Sequence, residues 1–88
     1  FSLVLFRYQG VMFRPLGFYD RAVNNFEKAH QLDPTHLQSL YNIGIIYAVD
    51  LKQPTKAKQF FESLLQKDQT SDLARQAREM LQQLSTGK

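Results

Sequence analysis

GVMFRPLGFYDRAVNNFEKAHQLDP, residues 10–34, set against GIIYAVDLKQPTKAKQFFESLLQKD, residues 44–68, decides the fold. At a shift of 34, Gly10 falls on Gly44 and Phe13 on Tyr47; just upstream, Phe6 falls on Leu40. One inserted residue then makes the shift 35: Ala22 falls on Ala57, Phe26 on Phe61, Ala29 on Leu64 and Asp33 on Asp68. Self-similarity at a period of this length marks a stacked repeat. The inserted residue belongs to Asp50-Leu51-Lys52-Gln53-Pro54, a turn-like stretch where an extra residue disturbs least.

The matched residue types have a physical reason. Gly10 and Gly44 lie inside apolar helical patterns, where glycine costs about 1 kcal/mol against alanine. Close approach of a neighbouring helix explains them. Ala22, Ala29 and Ala57 serve the same end, since a small residue lets two helix axes come near. Phe26 and Phe61 fill the space so made, with Phe13 and Tyr47 as large residues on the opposite helix.

The pattern predicts five helices. The first runs from about Leu3 to Arg14 and ends at the turn Pro15-Leu16-Gly17. The second, from about Phe18 to Gln31, stops at Asp33-Pro34, because the residue before proline avoids the helical region. Thr35-His36-Leu37-Gln38 reads as a capping box opening the third, which reaches about Val49. Pro54 suits the first turn of the fourth, which ends near Lys67. Thr70 or Ser71 caps the fifth, which runs to about Leu84. On that helix Leu73, Ala74, Ala77, Met80, Leu81 and Leu84 recur at helical steps, and its other face is polar. Such a helix can close the flank of a stack.

Gly10, Phe13, Gly17, Tyr19, Ala22, Phe26, Ala29 and Pro34 stand at the spacing of the tetratricopeptide repeat, which this sequence resembles over about residues 3–69. The second copy matches through Asn42, Gly44, Tyr47, Ala57 and Phe61. Gln9 stands where the family usually has leucine, Phe6 and Leu40 replace its tryptophan, and Gln69 replaces the second closing proline. Pro15 can stop or kink the first helix. The resemblance implies an all-α, right-handed superhelical solenoid of antiparallel helix pairs. It divides a single domain, 1–88, into repeat one (3–36), repeat two (37–70) and a closing helix (71–85).

The resemblance also implies a concave groove lined by the first helix of each repeat. Carried onto this sequence, its residues are Val4, Arg7, Val11 and Arg14 from the first helix, and Gln38, Tyr41, Ile45 and Ala48 from the third. Arg7 and Arg14 suit acidic side chains or a terminal carboxylate in bidentate fashion. Tyr41 offers a flat anchor with a polar tip. Family members that grip heat-shock chaperone tails use a clamp of asparagine and basic residues. Val11 and Ile45 occupy the positions of the clamp asparagines, which argues against that subclass.

Composition removes other classes. A chain of 88 residues makes one domain with a thin core, hiding roughly 60–65% of its unfolded surface. With no cysteine there is no disulfide framework, thiol nucleophile or thiolate metal site, which fits a reducing, cytoplasmic compartment. The apolar start Phe1-Ser2-Leu3-Val4-Leu5-Phe6 stops at Arg7, far short of the about 20 residues of a membrane span. That start, which lacks Met, reads as a fragment of a longer protein or a processed product. His30 and His36 are not at metal-binding spacing, and the serines lack a nucleophile-elbow context. No enzyme activity, cofactor or metal is expected. Lys52, Lys56 and Lys58, with Lys67 nearby, form either a solvated helix face or a patch for an acidic partner or RNA.

The leading expectation is a protein-interaction module that takes a peptide or partner subunit in its groove. The alternative is an assembly element that homo-oligomerises through its apolar first helix. RNA binding is weaker, since a net charge of +3 is mild and no base-reading code recurs per repeat.

Overall fold

The structure, a computed structural model, describes residues 16–86. Among these residues all regular structure is helical. Helix α1 spans Tyr19–Leu32, α2 Leu37–Ile45 with a π-helical continuation over Ile46–Asp50, α3 Pro54–Lys67 and α4 Asp72–Thr86. These are four of the five predicted helices. The fifth, over 3–14, lies outside the described residues, as do Phe6, Gly10 and Phe13.

Each helix packs against its chain neighbour across a short joint, which imposes an antiparallel arrangement. Two apolar clusters result. Ala22, Val23 and Phe26 of α1 meet Ile43 and Ile46 on one side of α2. Leu40, on another side, joins Ala57, Phe61 and Leu64 of α3 and Ala74 and Ala77 of α4. Tyr47 and Phe60 touch both clusters and stack on each other, ring centroids 5.6 Å apart. Helix α2 is therefore the shared wall of the core.

Gly44 lies against the ring of Phe61. A Cβ built there would stand 2.7 Å from Phe61 Cε1 and 2.8 Å from Cζ. Gly17 has a different role: it is exposed in the turn before α1 at φ +82°, a backbone conformation that favours glycine.

The inserted residue reappears as geometry. A π turn widens the end of α2, with Leu51 N–H donating to Ile46 O at 2.9 Å and Gln53 N–H to Tyr47 O at 2.7 Å. A helix that must accommodate an extra residue does so by such a widening. Lys52 then leaves the helix at φ +54°, a left-handed position that costs a side-chain-bearing residue about 1 kcal/mol. Lys52→Gly should therefore raise stability by about 0.5–1 kcal/mol, roughly 2–8 °C in Tm for a domain this size. A melt of that variant no higher than the parent's would show that the left-handed turn is not strained.

The predicted capping box does not form. His36, not Thr35, is the N-cap of α2, and its Nδ1 pairs with the hydroxyl of buried Ser39 at 2.7 Å. Gln38 reaches forward to Asn42 Oδ1 at 3.0 Å instead of back. The reason lies one step earlier. Asp33 Oδ1 accepts from both the Thr35 N–H (3.1 Å) and the Thr35 hydroxyl (2.6 Å), so Thr35 is already committed to a turn. The same turn recurs 35 residues on, where Asp68 Oδ1 accepts from the Thr70 N–H at 3.2 Å. There Ser71 caps α4, its Oγ accepting from Ala74 N–H at 3.1 Å. Asp33 and Asp68 are both extended, at φ −143° and −156°. Only the first precedes proline, so the Asp-x-Thr bonds, not the proline, are common to the two joints.

These bonds hold both carboxyls below the ordinary aspartate value of 3.8. The Thr35 hydroxyl is the main cause at Asp33 and the Ser71 hydroxyl at Asp68. A carboxyl with a depressed folded pKa contributes stability above its unfolded pKa and loses it as pH falls through the folded one. Thermal melts should therefore decline as pH drops below about 4. The double variant Asp33→Asn/Asp68→Asn, which keeps an acceptor but does not titrate, should show a shallower acid decline. An unchanged slope would remove the two joints from the acid response.

Candidate interaction face

Of the residues expected to line a groove, Val4, Arg7, Val11 and Arg14 lie outside the described residues. The other four sit on α2. Gln38 is exposed, while Tyr41, Ile45 and Ala48 are half-buried and pack at the edge of the cluster shared with α3 and α4. The Tyr41 ring leans on Phe61, centroids 5.5 Å apart and planes at 57°. Next to Ala48, Val49 is 52% exposed. A strip of half-buried apolar surface thus runs along α2, backed by a packed core.

The strip has a neighbour that the sequence pattern also encodes. The shift of 34, carried on from α2, puts Leu40 on Ala74 and Ile43 on Ala77, and all four are buried. Helix α4 therefore has the inward face of a further first-of-pair helix. The same shift carries Gln38, Tyr41, Ile45 and Ala48 onto Asp72, Arg75, Glu79 and Gln82, all exposed. Arg75 donates to Glu79 at 3.0 Å and lies 3.9 Å from Asp72. The two elements meet electrically: burial first, and then the Glu79 charge, raise the Tyr41 hydroxyl above its usual value. The positions that the family resemblance implies on α2 form the apolar half of this face, and the shift of 34 carries them onto its charged half.

Gly44 itself falls on Arg78 at that shift. Its guanidinium donates across the joint to Gln69 O at 2.8 Å, tying α4 to the end of α3.

The remaining predicted packing residues are placed as follows. Ala22, Ala29 and Ala57 are fully buried, Phe26 and Phe61 nearly or fully so, and Tyr19 is half-buried against the α1–α2 cluster. Pro34 is exposed. Of the lysines, Lys56 lies over the Tyr47 ring at 5.2 Å, Lys52 is exposed in its left-handed turn, Lys58 is half-buried and Lys67 ends α3. His30 Nδ1 is buried with no hydrogen-bond partner among the described residues. Among the described residues no three His, Asp or Glu side chains gather as a metal site, and no helix is long and apolar enough to cross a membrane.

The family model for the tetratricopeptide repeat matches residues 17–81. The chain belongs to the tetratricopeptide repeat family. No curated protein and no solved structure matches it. Tetratricopeptide repeats generally mediate protein–protein interaction and are typically non-catalytic. The matched span starts at Gly17 and ends at Leu81, so it takes in the turn before α1 and most of α4 as well as the second repeat.

Proposed function

We propose that this tetratricopeptide chain is a protein-interaction module whose concave face takes a peptide or a segment of a partner subunit. Its helix pairs follow a right-handed superhelical path as one domain, with repeats over about 3–36 and 37–70 and a closing helix over 71–85. The observation that carries the reading is the half-buried strip of Tyr41, Ile45 and Ala48, continued by exposed Val49, on a helix whose opposite sides are filled by core. Apolar surface left open over a rigid backing costs little further ordering to bind, which favours recognition of an extended or helical segment. Arg7 and Arg14 would flank the strip from the first helix.

The test is selection of a displayed library of random linear peptides against the whole chain, followed by affinity measurement on the selected peptides. Tyr41→Ala and Ile45→Asp should each weaken them by about tenfold or more, the size expected of a buried anchor. Helical circular dichroism of each variant guards against unfolding. Selected peptides that bind both folded variants as tightly as the parent would place recognition elsewhere.

A second reading has one observation in its favour. Leu16 and Phe18, at the amino-terminal side of α1, are 63% and 47% exposed. Apolar surface there suits self-association. Sedimentation at two concentrations decides it: a strict monomer removes this reading.

A further inference from the structure

We infer that the π turn at the end of α2 is a specificity device: it makes Val49, rather than Ala48, the residue that ends the strip and meets an apolar side chain of the bound peptide. The inference rests on the groove reading above and deepens it, because a groove carried over at unbroken α-helical spacing ends at Ala48.

The geometry follows from the number of residues per turn. An α-helix advances about 100° per residue, so the Tyr41 position lies about 40° to one side of Ile45 and Gln38 about 20° to the other. Continued as an α-helix, Ala48 and Val49 would diverge to about 60° and 40° on opposite sides of Ile45, and the strip would fork. Residues 46–50 are instead π-helical, and Leu51 N–H donates five residues back to Ile46 O at 2.9 Å. A turn closed in this way advances only about 80° per residue. Val49 then falls about 30° from Ile45, in line with Tyr41. Ala48 swings to about 115° on the same side, into the sector of Leu40 and Gly44, which face α3. Exposure agrees with this rotation. Val49 is 52% exposed and belongs to neither apolar cluster, whereas Ala48 is half-buried and packs against the cluster of α2, α3 and α4.

The turn is held from the far side. Gln53 N–H donates to Tyr47 O at 2.7 Å, and the Tyr47 ring stacks on Phe60 and carries the Lys56 ammonium over it. At a shift of 34 the mates of Val49 are Pro15 and Gln83, so a branched aliphatic residue at this position belongs to the second repeat alone.

The chain has no cysteine, so single Val49→Cys and Ala48→Cys variants of the full chain report the two positions by thiol labelling. Val49→Cys should label about fivefold faster or more. Peptides selected on the parent and weakened by Tyr41→Ala should slow labelling of Val49→Cys by about threefold or more and change that of Ala48→Cys by less than about twofold. The same peptides should bind Val49→Ser about three- to tenfold more weakly and Ala48→Ser within about twofold of the parent. Removing Lys52 restores the shift of 34. With helical circular dichroism retained, it should bring the two labelling rates together and cost the peptides about three- to tenfold in affinity. If the shortened chain does not fold, labelling and affinity in the full-length variants decide. Tyr41-dependent peptides that protect Ala48→Cys as well as Val49→Cys, that tolerate Val49→Ser, or that bind the folded shortened chain as tightly as the parent would overturn this inference and leave the groove reading standing. Selected peptides indifferent to Tyr41→Ala and Ile45→Asp, or no selected peptide at all, would end both.

Discussion

Gly44→Ala is expected to destabilise the fold by about 2–3 kcal/mol, read as a lower urea midpoint at unchanged slope. On an open helix the same change would add about 1 kcal/mol of stability through helix propensity. Here the added methyl would stand under 3 Å from two atoms of the Phe61 ring. That ring has nowhere to retreat: it is fully buried among Leu40, Ala57, Leu64, Ala74 and Ala77, with Tyr41 leaning on it. Either α2 and α3 move apart or the ring leaves its rotamer, and both disturb the larger cluster. Trimming the obstacle provides the check. Phe61→Leu should be destabilising alone, yet the double variant should be less destabilised than the two single effects added together, by about 1 kcal/mol or more. A Gly44→Ala protein as stable as the parent would mean that α2 and α3 leave room for a methyl group at their contact.

That contact was legible in the sequence, and so was most of the helical frame. Gly44 and Phe61 are matched residues of the repeat, and a buried helical glycine needs a reason that only a close neighbour supplies. Pro54 marked the start of α3, and Thr70 or Ser71 the cap of α4, a role that falls to Ser71, because each acts through local backbone chemistry. The capping box failed for a reason equally local. Thr35 had two partners within reach, Asp33 on one side and the helix start on the other, and short-range pattern alone does not rank them. The Asp-x-Thr recurrence at 33–35 and 68–70 was the signal that ranks them, since both copies keep it while Pro34 and Gln69 differ. The π turn was half legible: the period demanded one extra residue, but whether a loop or a helix end absorbs it depends on packing. Tyr47 and Phe60, stacked between the two clusters, hold the end of α2 in place as it widens. The charged half of the face is less legible, because the apolar periodicity of α4 marks only its buried side, although Asp72, Arg75, Glu79 and Gln82 repeat the positions of the apolar half.

Among the described residues, Phe61→Ala should have the largest effect of any single truncation, about 3–5 kcal/mol. A chain of this length has a total stability of roughly 4–13 kcal/mol, so much of the fold is at stake. Its repeat mate Phe26 is also nearly buried, but Phe26 belongs to the cluster that α1 makes with α2. Phe61 stands where α2, α3 and α4 converge, and the two α4 residues at that point, Ala74 and Ala77, are too small to close over the cavity left behind. Helix α4 should therefore loosen first. Amide hydrogen exchange in Phe61→Ala should show protection lost along α4 to a greater extent than along α1, whereas Phe26→Ala should show the reverse. Equal loss along both helices would mean that the clusters unfold as one unit and that α2 does not partition the core. The same variant separates support from recognition. Tyr41 loses its backing when Phe61 is trimmed, so peptide affinity should fall with stability in Phe61→Ala, while Tyr41→Ala, whose side chain is only half-buried, should lose affinity with a much smaller change in the urea midpoint.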